Sequence, residues 1–387
     1  METAGAVVFL PRDEHGTSPF LEDVLFDPAC LWLVEALKAE GVSRFLAVCD
    51  DQSKEAAARC FPAGTDIVTT EAADAPSRLA SFLNLVGEQV IVIARPILLA
   101  PKGTRFTHPS HEGLQCVWTL PAPALAEALQ GGMELDAALT TLGSTAPWTN
   151  RCLPLRSDPE HRANVIEPAA KSLSVDRLLH AGVRIMDPAS TFAGPRVIVG
   201  PGSTLLPGTI LRGRTQIGAD CTIGPNAMIR DCTLGDRVTV NASQLNESTV
   251  DSDTTVGPFA YIRPNCHVGR GVKVGDFVEL KNSTLGSGTK VSHLTYIGDT
   301  DAGDRINFGC GTVTVNYDGT KKYRTVIADD AFIGCNTNLV APVKVGSGAY
   351  IAAGSTITDN VPPDSLAIAR EHQRLKRNWA QKRRQQG

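Results

Sequence analysis

Two hydrophobic rhythms divide the chain. Over residues 1–160, short branched apolar runs alternate with stretches where apolar residues return every three or four positions. Ala6–Leu10, Phe45–Cys49 and Val90–Ala94 are runs of the first kind and predict buried strands. Asp27-Pro28 offers a polar cap and then proline at the first turn, with Leu31, Val34 and Leu37 following at helical spacing. Helices are also predicted over Ser53–Cys60, Ala75–Val86, Pro123–Leu129 and Leu135–Leu142. This βαβα alternation predicts a parallel sheet covered by helices. Residues 161–184 read as a linker helix.

From residue 185 to residue 361 the period is six. Val199, Leu205, Leu211, Ile217, Ile223 and Ile229 begin the series. After a shorter step it resumes at Val250, Val256, Ile262, Val268, Val274 and Leu280, then Leu285, Val291 and Ile297. It ends with Ile327, Ile333, Leu339, Val345, Ile351 and Ile357. Glycine often follows the apolar residue, as in Ile217-Gly218 and Val345-Gly346. Each six-residue unit supplies one short strand and one turn, and three units close a coil of about eighteen residues. Stacked coils bury one continuous core, so the prediction is a parallel β-helix. Between Ile306 and Ile327 the period breaks, and Asn316, Asp318 and Gly319 are turn formers, which predicts an excursion from the prism. Beyond Pro362-Pro363 the repeats stop. The tail, 362–387, is basic, with Arg370, Arg374, Lys376, Arg377, Lys382, Arg383 and Arg384.

Composition narrows the function. A net charge of −4 over 387 residues argues against nucleic acid as a partner. No run reaches the ~18 apolar residues of a membrane helix; the longest candidate, Gln89–Ala100, is broken by Arg95 and Pro96. The short run Ala6–Leu10 after Glu2 is no signal peptide, so a cytoplasmic location is expected. Ten cysteines occur without a Cys-x-x-Cys pair, which predicts free thiols rather than a zinc site.

Chemistry gathers on the second half. Arg263 and Lys281 each follow an inward residue and lie eighteen residues apart, so they stack in one outer column. Two cations in a column repel, and a phosphate between them offsets that repulsion. His293 lies within a coil of this pair, near Tyr296 and Glu279; taken alone it reads as a histidine on a turn, but histidine takes a proton near neutral pH, and a carboxylate fixes its tautomer. His267 and His293 are the only histidines in the stretch and no third ligand accompanies them, so no metal is expected.

The segment Gly257-Pro258-Phe259-Ala260-Tyr261-Ile262-Arg263 resembles the bifunctional family that makes UDP-N-acetylglucosamine. That family fuses glucosamine-1-phosphate N-acetyltransferase to N-acetylglucosamine-1-phosphate uridyltransferase. Phe277-Val278-Glu279-Leu280-Lys281, His293-Leu294-Thr295-Tyr296, Asn307-Phe308-Gly309-Cys310, Asn316-Tyr317, Leu339-Val340-Ala341-Pro342 and Leu366-Ala367-Ile368-Ala369-Arg370 are similar to it in the same order. The resemblance spans about residues 145–375 and implies a left-handed β-helix. It implies His293 as catalytic base, with Glu279 orienting it. Arg263, Lys281, Tyr296 and Lys322 are then sugar-phosphate ligands, and Asn307, Asn316 and Tyr317 sugar and amine contacts. Acetyl-CoA is implied along Cys310, Cys335, Ala353 and Arg370; the family usually has alanine and serine at the two cysteines. A homotrimer with shared active sites is implied, and a place in cell-wall (peptidoglycan) precursor synthesis.

The first 160 residues resemble a degenerate, shortened nucleotidyltransferase (Rossmann-like) domain. The family's Leu-Ala-Ala-Gly-x-Gly-Thr-Arg loop is replaced by Pro11-Arg12-Asp13-Glu14-His15-Gly16-Thr17, and Ala94-Arg95-Pro96 stands where the family has a magnesium-binding Gly-Asp. Only Thr149-Asn150-Arg151 is similar to the family's second metal motif. Loss of uridyl transfer is the expectation. The alternatives are a fully bifunctional enzyme, a hexapeptide acyltransferase for another amino sugar, and a non-catalytic regulatory paralogue.

Overall fold

The computed structural model describes residues 5–106, 116–145, 148 and 150–386. Thr149 lies outside them, as does part of the stretch 102–149. The chain divides into two compact units: one holds Met1–His180, Phe192–Val197 and Leu211–Gly213, the other the remainder.

The first unit is a five-stranded sheet. Its strands are β1 (Gly5–Phe9), β2 (Arg44–Cys49), β3 (Asp66–Thr69), β4 (Gln89–Ile93) and β5 (Val117–Pro121), in the order β3-β2-β1-β4-β5. The first four are parallel, and β5 runs antiparallel to β4. Helices α1 (Ala29–Ala39), α2 (Lys54–Cys60), α3 (Ala75–Leu85), α4 (Ala122–Gln130) and α5 (Leu135–Leu142) belong to the same unit. Val8, Leu33 and Ile93 are fully buried in one apolar cluster, and Val90, Val92 and Leu120 in another. Alternate residues of β4 therefore serve different clusters, as a strand covered on both faces requires. One local expectation fails. Asp27 does not cap α1: Asp27-Pro28 pairs with Asp23-Val24 as a short ribbon, and the Asp27 carboxylate accepts from Arg196 at 3.0 Å. A buried carboxylate gains more from a guanidinium than from a backbone amide. Residues 159–180 are helical in three pieces, Pro159–His161, a wide π-turn over Arg162–Ile166, and Glu167–His180.

The second unit is a left-handed parallel β-helix with three sheets. Successive coils pair in register, for example Leu205 with Ile223, then Val240, Val256, Val274, Val291, Phe308, Ile333 and Ile351. Every apolar residue of the six-residue series is buried. The shorter step also has a cause. Leu234, Val240 and Leu245 fill the inward positions between Ile229 and Val250, but several turns there lose one residue. Outside the excursion, coils are thus sixteen to eighteen residues long: Val240 to Val256, Ile217 to Leu234, Ile262 to Leu280. The excursion is narrower than the sequence indicates, because Asn307–Phe308 and Val313–Val315 stay on the prism and the chain returns at Thr325–Ile327. One rung, Leu366–Ala367, pairs with Tyr350–Ile351 beyond the double proline. Among the described residues no helix is long and apolar enough to cross a membrane.

Buried hydroxyls hold the corners. Thr254 Oγ1 donates to the Gly269 carbonyl at 2.8 Å and accepts from the Val272 amide at 3.2 Å; Ser203 and Thr289 repeat this on other coils. Each such hydroxyl satisfies two backbone groups that the turn leaves unpaired. The outer ladder of Arg237, Asp253 and Arg270 is solvent-exposed and contributes far less. We expect Thr254→Val to cost about 1–3 kcal/mol of stability, because it keeps the shape and removes both bonds. Chemical denaturation measures this, and an unchanged midpoint would refute the corner-bridge account.

Candidate active site

Register sorts the candidate residues into two groups. Tyr261, Glu279, Tyr296 and Val313 stack in one outward column, one per coil. The next position carries the inward residues Ile262, Leu280 and Ile297. The position after that carries Arg263, Lys281 and Gly298, since Lys281 pairs with Gly298 and the Arg263 amide donates to the Leu280 carbonyl at 2.9 Å. Glycine at 298 matters: a Cβ there would lie 2.3 Å from the Tyr296 hydroxyl and 2.8 Å from Asn316 Nδ2. The absence of a side chain lets Tyr296 and Asn316 converge above Lys281.

Each cation has an acidic partner. Arg263 donates to Glu279 at 2.9 Å, on a half-exposed surface. Lys281 is largely buried and contacts Asp299 at 3.4 Å. Asp299 is the hub of the group. It is buried in a left-handed turn (φ +48°) and accepts from Asn282 Nδ2 at 2.5 Å, from Asn316 Nδ2 and from Lys281. Burial pushes its carboxyl up, but Asn282, Asn316 and Lys281 outweigh that and hold it below the usual carboxylate range. Lys322, at the end of the excursion, approaches Lys281 closely, and the neighbouring ammonium pushes Lys322 below its ordinary value. The cluster is therefore short of negative charge and suited to an anion. Within the excursion, Tyr317 donates from its hydroxyl to the Gly319 carbonyl at 2.5 Å and its backbone bridges to Lys322. Asp318 closes the turn by accepting from the amides of Lys321 and Thr320, which hold it at about 2.

The second group is a column along one corner. Asp276 pairs directly with His293. Val291 with Phe308 and Tyr296 with Val313 set a constant offset across the turn, which brings Cys310 over His293. Phe308 with Ile333 and Val313 with Asn338 likewise bring Cys335 over Cys310, and the next coil places Ala353 over Cys335. Arg370 passes beside Gly354, its Cδ 3.5 Å from where a Cβ would sit. Asn307 is half-buried on the coil of Cys310 and pairs with Lys290 and Phe332.

One assignment needs correction. Glu279 does not orient His293, because its carboxylate is engaged by Arg263. His293 Nδ1 instead contacts Asp276 Oδ1 at 2.6 Å, and this bond holds Asp276 below the usual carboxylate range. An ionised carboxylate only accepts, so Nδ1 carries the proton and Nε2 is left as the acceptor. The spacing along the chain marks both acids of the site. Asp276 precedes His293 by one seventeen-residue coil, hidden by the assumption of eighteen. Asp299 follows Lys281 by eighteen. Among the described residues no group of three His, Cys, Asp or Glu is placed to hold a metal.

The prism matches the bacterial transferase hexapeptide (six repeats) family over residues 196–231, 247–282 and 324–359. Proteins called bifunctional protein GlmU are 51% identical over 207 residues in Exiguobacterium sp. and 53% identical over 198 residues in Geobacillus sp.. These matches take in 54% and 51% of this chain. Over about half its length, this chain is similar to these GlmU proteins. A third, from Clostridium acetobutylicum, is 52% identical over 208 residues. The chain spans about half the length of the curated relatives it matches, 46%, 43% and 46% of them in turn.

In the first unit, the switch from β1 to β4 opens a cleft of about 770 Å³ lined by Arg12, Asp13, His15, Pro96 and Arg156. The loop after β1 is closed on itself. Asp13 Oδ1 accepts from the amides of His15 and Thr17 at 2.9 and 3.1 Å, and the Asp13 amide donates to Thr17. Arg12 is paired with Asp50, and Arg151 is buried against Glu40 and the Ala100 carbonyl. Arg95 stands exposed just past β4.

Asp276, Asp299 and Asp318 are all held low, so each stabilises the fold fully above the unfolded carboxylate value of about 3.9 and loses that contribution as pH falls through its folded value. We expect the thermal midpoint to hold from neutrality to about pH 5 and fall towards about pH 2. Asp299→Asn removes one of these titrations and flattens the fall; an equally steep fall would remove Asp299 from the account.

Proposed function

We propose that the prism transfers acetyl from acetyl-CoA to the amine of glucosamine-1-phosphate, giving N-acetylglucosamine-1-phosphate. The observation that carries this reading is the cationic group of Arg263, Lys281 and Lys322 on the same prism as a His–Asp pair. Arg263, Lys281 and Lys322 bind the phosphate, with Tyr296 and Asn316 against the sugar. Asn307 and Tyr317 are further sugar and amine contacts. Asp299 is a positioning residue: it fixes Lys281 and Asn316 before substrate arrives, so less ordering is needed on binding. Acetyl-CoA lies along Cys310, Cys335, Ala353 and Arg370, as the GlmU-like sequence around this column suggests; cysteine is small enough to keep the groove open where the family has alanine and serine.

The amine arrives protonated and becomes nucleophilic when it gives that proton to solvent water. As its nitrogen attacks the thioester carbonyl, His293 Nε2 takes a second proton from the nitrogen; the C–S bond then breaks and the proton passes to the departing thiolate. Asp276 stabilises the imidazolium that forms in between. Holding both substrates in one groove supplies much of the rate. Active sites shared within a homotrimer belong to this proposal, as does a cytoplasmic setting. Uridyl transfer is absent from it. The loop after β1 turns amides onto Asp13 instead of outward to phosphates, and Arg95 follows the strand where a magnesium carboxylate is needed.

Incubation with acetyl-CoA and glucosamine-1-phosphate, with CoA thiol release followed by absorbance, tests the reading; no acetylated product would end it. His293→Ala should slow transfer by ~10²-fold or more with little change in substrate affinity. Near-normal turnover in that variant would exclude His293 as base. With UTP, N-acetylglucosamine-1-phosphate and magnesium we expect no pyrophosphate above background, and any steady release would mean that the first unit keeps its chemistry.

A further inference from the structure

We propose that Cys310 and Cys335 are a redox-active pair, closing to a reversible disulfide across two adjacent coils beside His293. The effect on turnover rests on the reading that acetyl-CoA lies along this column; formation of the bond does not.

The register places the two residues directly over one another. The Asn336 amide donates to the Cys310 carbonyl at 2.7 Å, and the Gly309 amide to the Ile333 carbonyl at 2.8 Å, so hydrogen bonds bracket the pair. In-register neighbours on paired strands lie about 4.8 Å apart, inside the ~4.4–6.8 Å Cα separation that a disulfide spans. The coils approach closely at this turn: a Cβ on Gly309 would lie 2.8 Å from Cys335 Cα. Glycine precedes each cysteine, and Gly311 and Asn336 follow in left-handed conformation (φ +76° and +54°). Side chains at matching turn positions point the same way.

Access separates this pair from the other thiols. Cys335 is exposed and Cys310 half-buried. Cys30 and Cys60 also meet, but both are buried, and burial pushes the Cys30 thiol well above its ordinary value. Cys152 is half-buried and pushed up to about 12, chiefly by burial. Buried thiols of this kind are inert.

The chemistry balances with a peroxide as oxidant. One thiolate attacks the peroxide oxygen and forms a sulfenic acid, and the second thiol displaces water from it. Two thiols lose two electrons and two protons, and hydrogen peroxide becomes two waters. The new bond closes a loop holding Asn316, Tyr317 and Lys322 and puts a rigid bridge where the thioester runs. A dithiol reverses it.

The test treats the full folded chain with diamide, whose N=N bond takes up the two hydrogens. Digestion without reduction, followed by mass spectrometry, should recover the Cys310 and Cys335 peptides joined. Acetyl transfer should fall at least ~10-fold and return with dithiothreitol, a loss on the scale expected when a groove is blocked. Cys335→Ser should give no joined peptide and no diamide-dependent loss relative to its own untreated rate. Joined peptides with undiminished transfer would overturn the switch. Both thiols still free, or capped separately, would overturn the pair itself. The peptide map decides the disulfide even if acetyl transfer proves not to be the reaction.

Discussion

In-register stacking of short coils is the constraint on which the second unit depends. No coil buries its own inward side chains; each is covered only by the coils above and below. A backbone amide reaches up and a carbonyl down at every rung, and corner hydroxyls such as Thr254 take the groups that the turns leave over. A slip of one residue would turn Val256, Val274 and Val291 outward together and expose the core along a whole face. Turns can lose a residue, because that shortens a corner without shifting the inward position.

That rigidity makes the candidate site a matter of columns. Residues far apart in sequence become neighbours because their offset is one coil, whether that coil has seventeen residues or, across the excursion, twenty-five, as from Val313 to Asn338. The site concentrates cations around one buried acid. Asp299 alone faces Lys281, Asn282 and Asn316, while Arg263 has Glu279 and Lys322 crowds Lys281. Such a cluster holds its shape through Asp299 and still has positive charge left for a dianion.

In the first unit, different contacts set the topology and the turn after β1. Its parallel strands and the crevice beside the β1–β4 switch follow from alternating apolar runs and covering helices. The turn that follows β1 has a different occupant. Asp13 draws the loop amides to itself, and Arg12 is satisfied by Asp50. A fold is maintained by many interchangeable apolar contacts, whereas phosphate binding needs particular amides free at one turn.

The sequence by itself determined the two periods, the inward residues, the parallel sheet and the column of Arg263 over Lys281. These follow from local spacing, since a side chain's face is set by its position in the repeat. Only the tertiary structure decided which acid meets which base. Asp276 rather than Glu279 contacts His293, and Asp299 joins Lys281 to Asn316, because coil length varies by one or two residues and a carboxylate's partner depends on that variation. The same holds for Asp27, whose sequence neighbours suggest a helix cap and whose partner, Arg196, lies far along the chain. Periodicity is local and legible; pairing between charged side chains is set by a few ångströms that only the folded chain supplies.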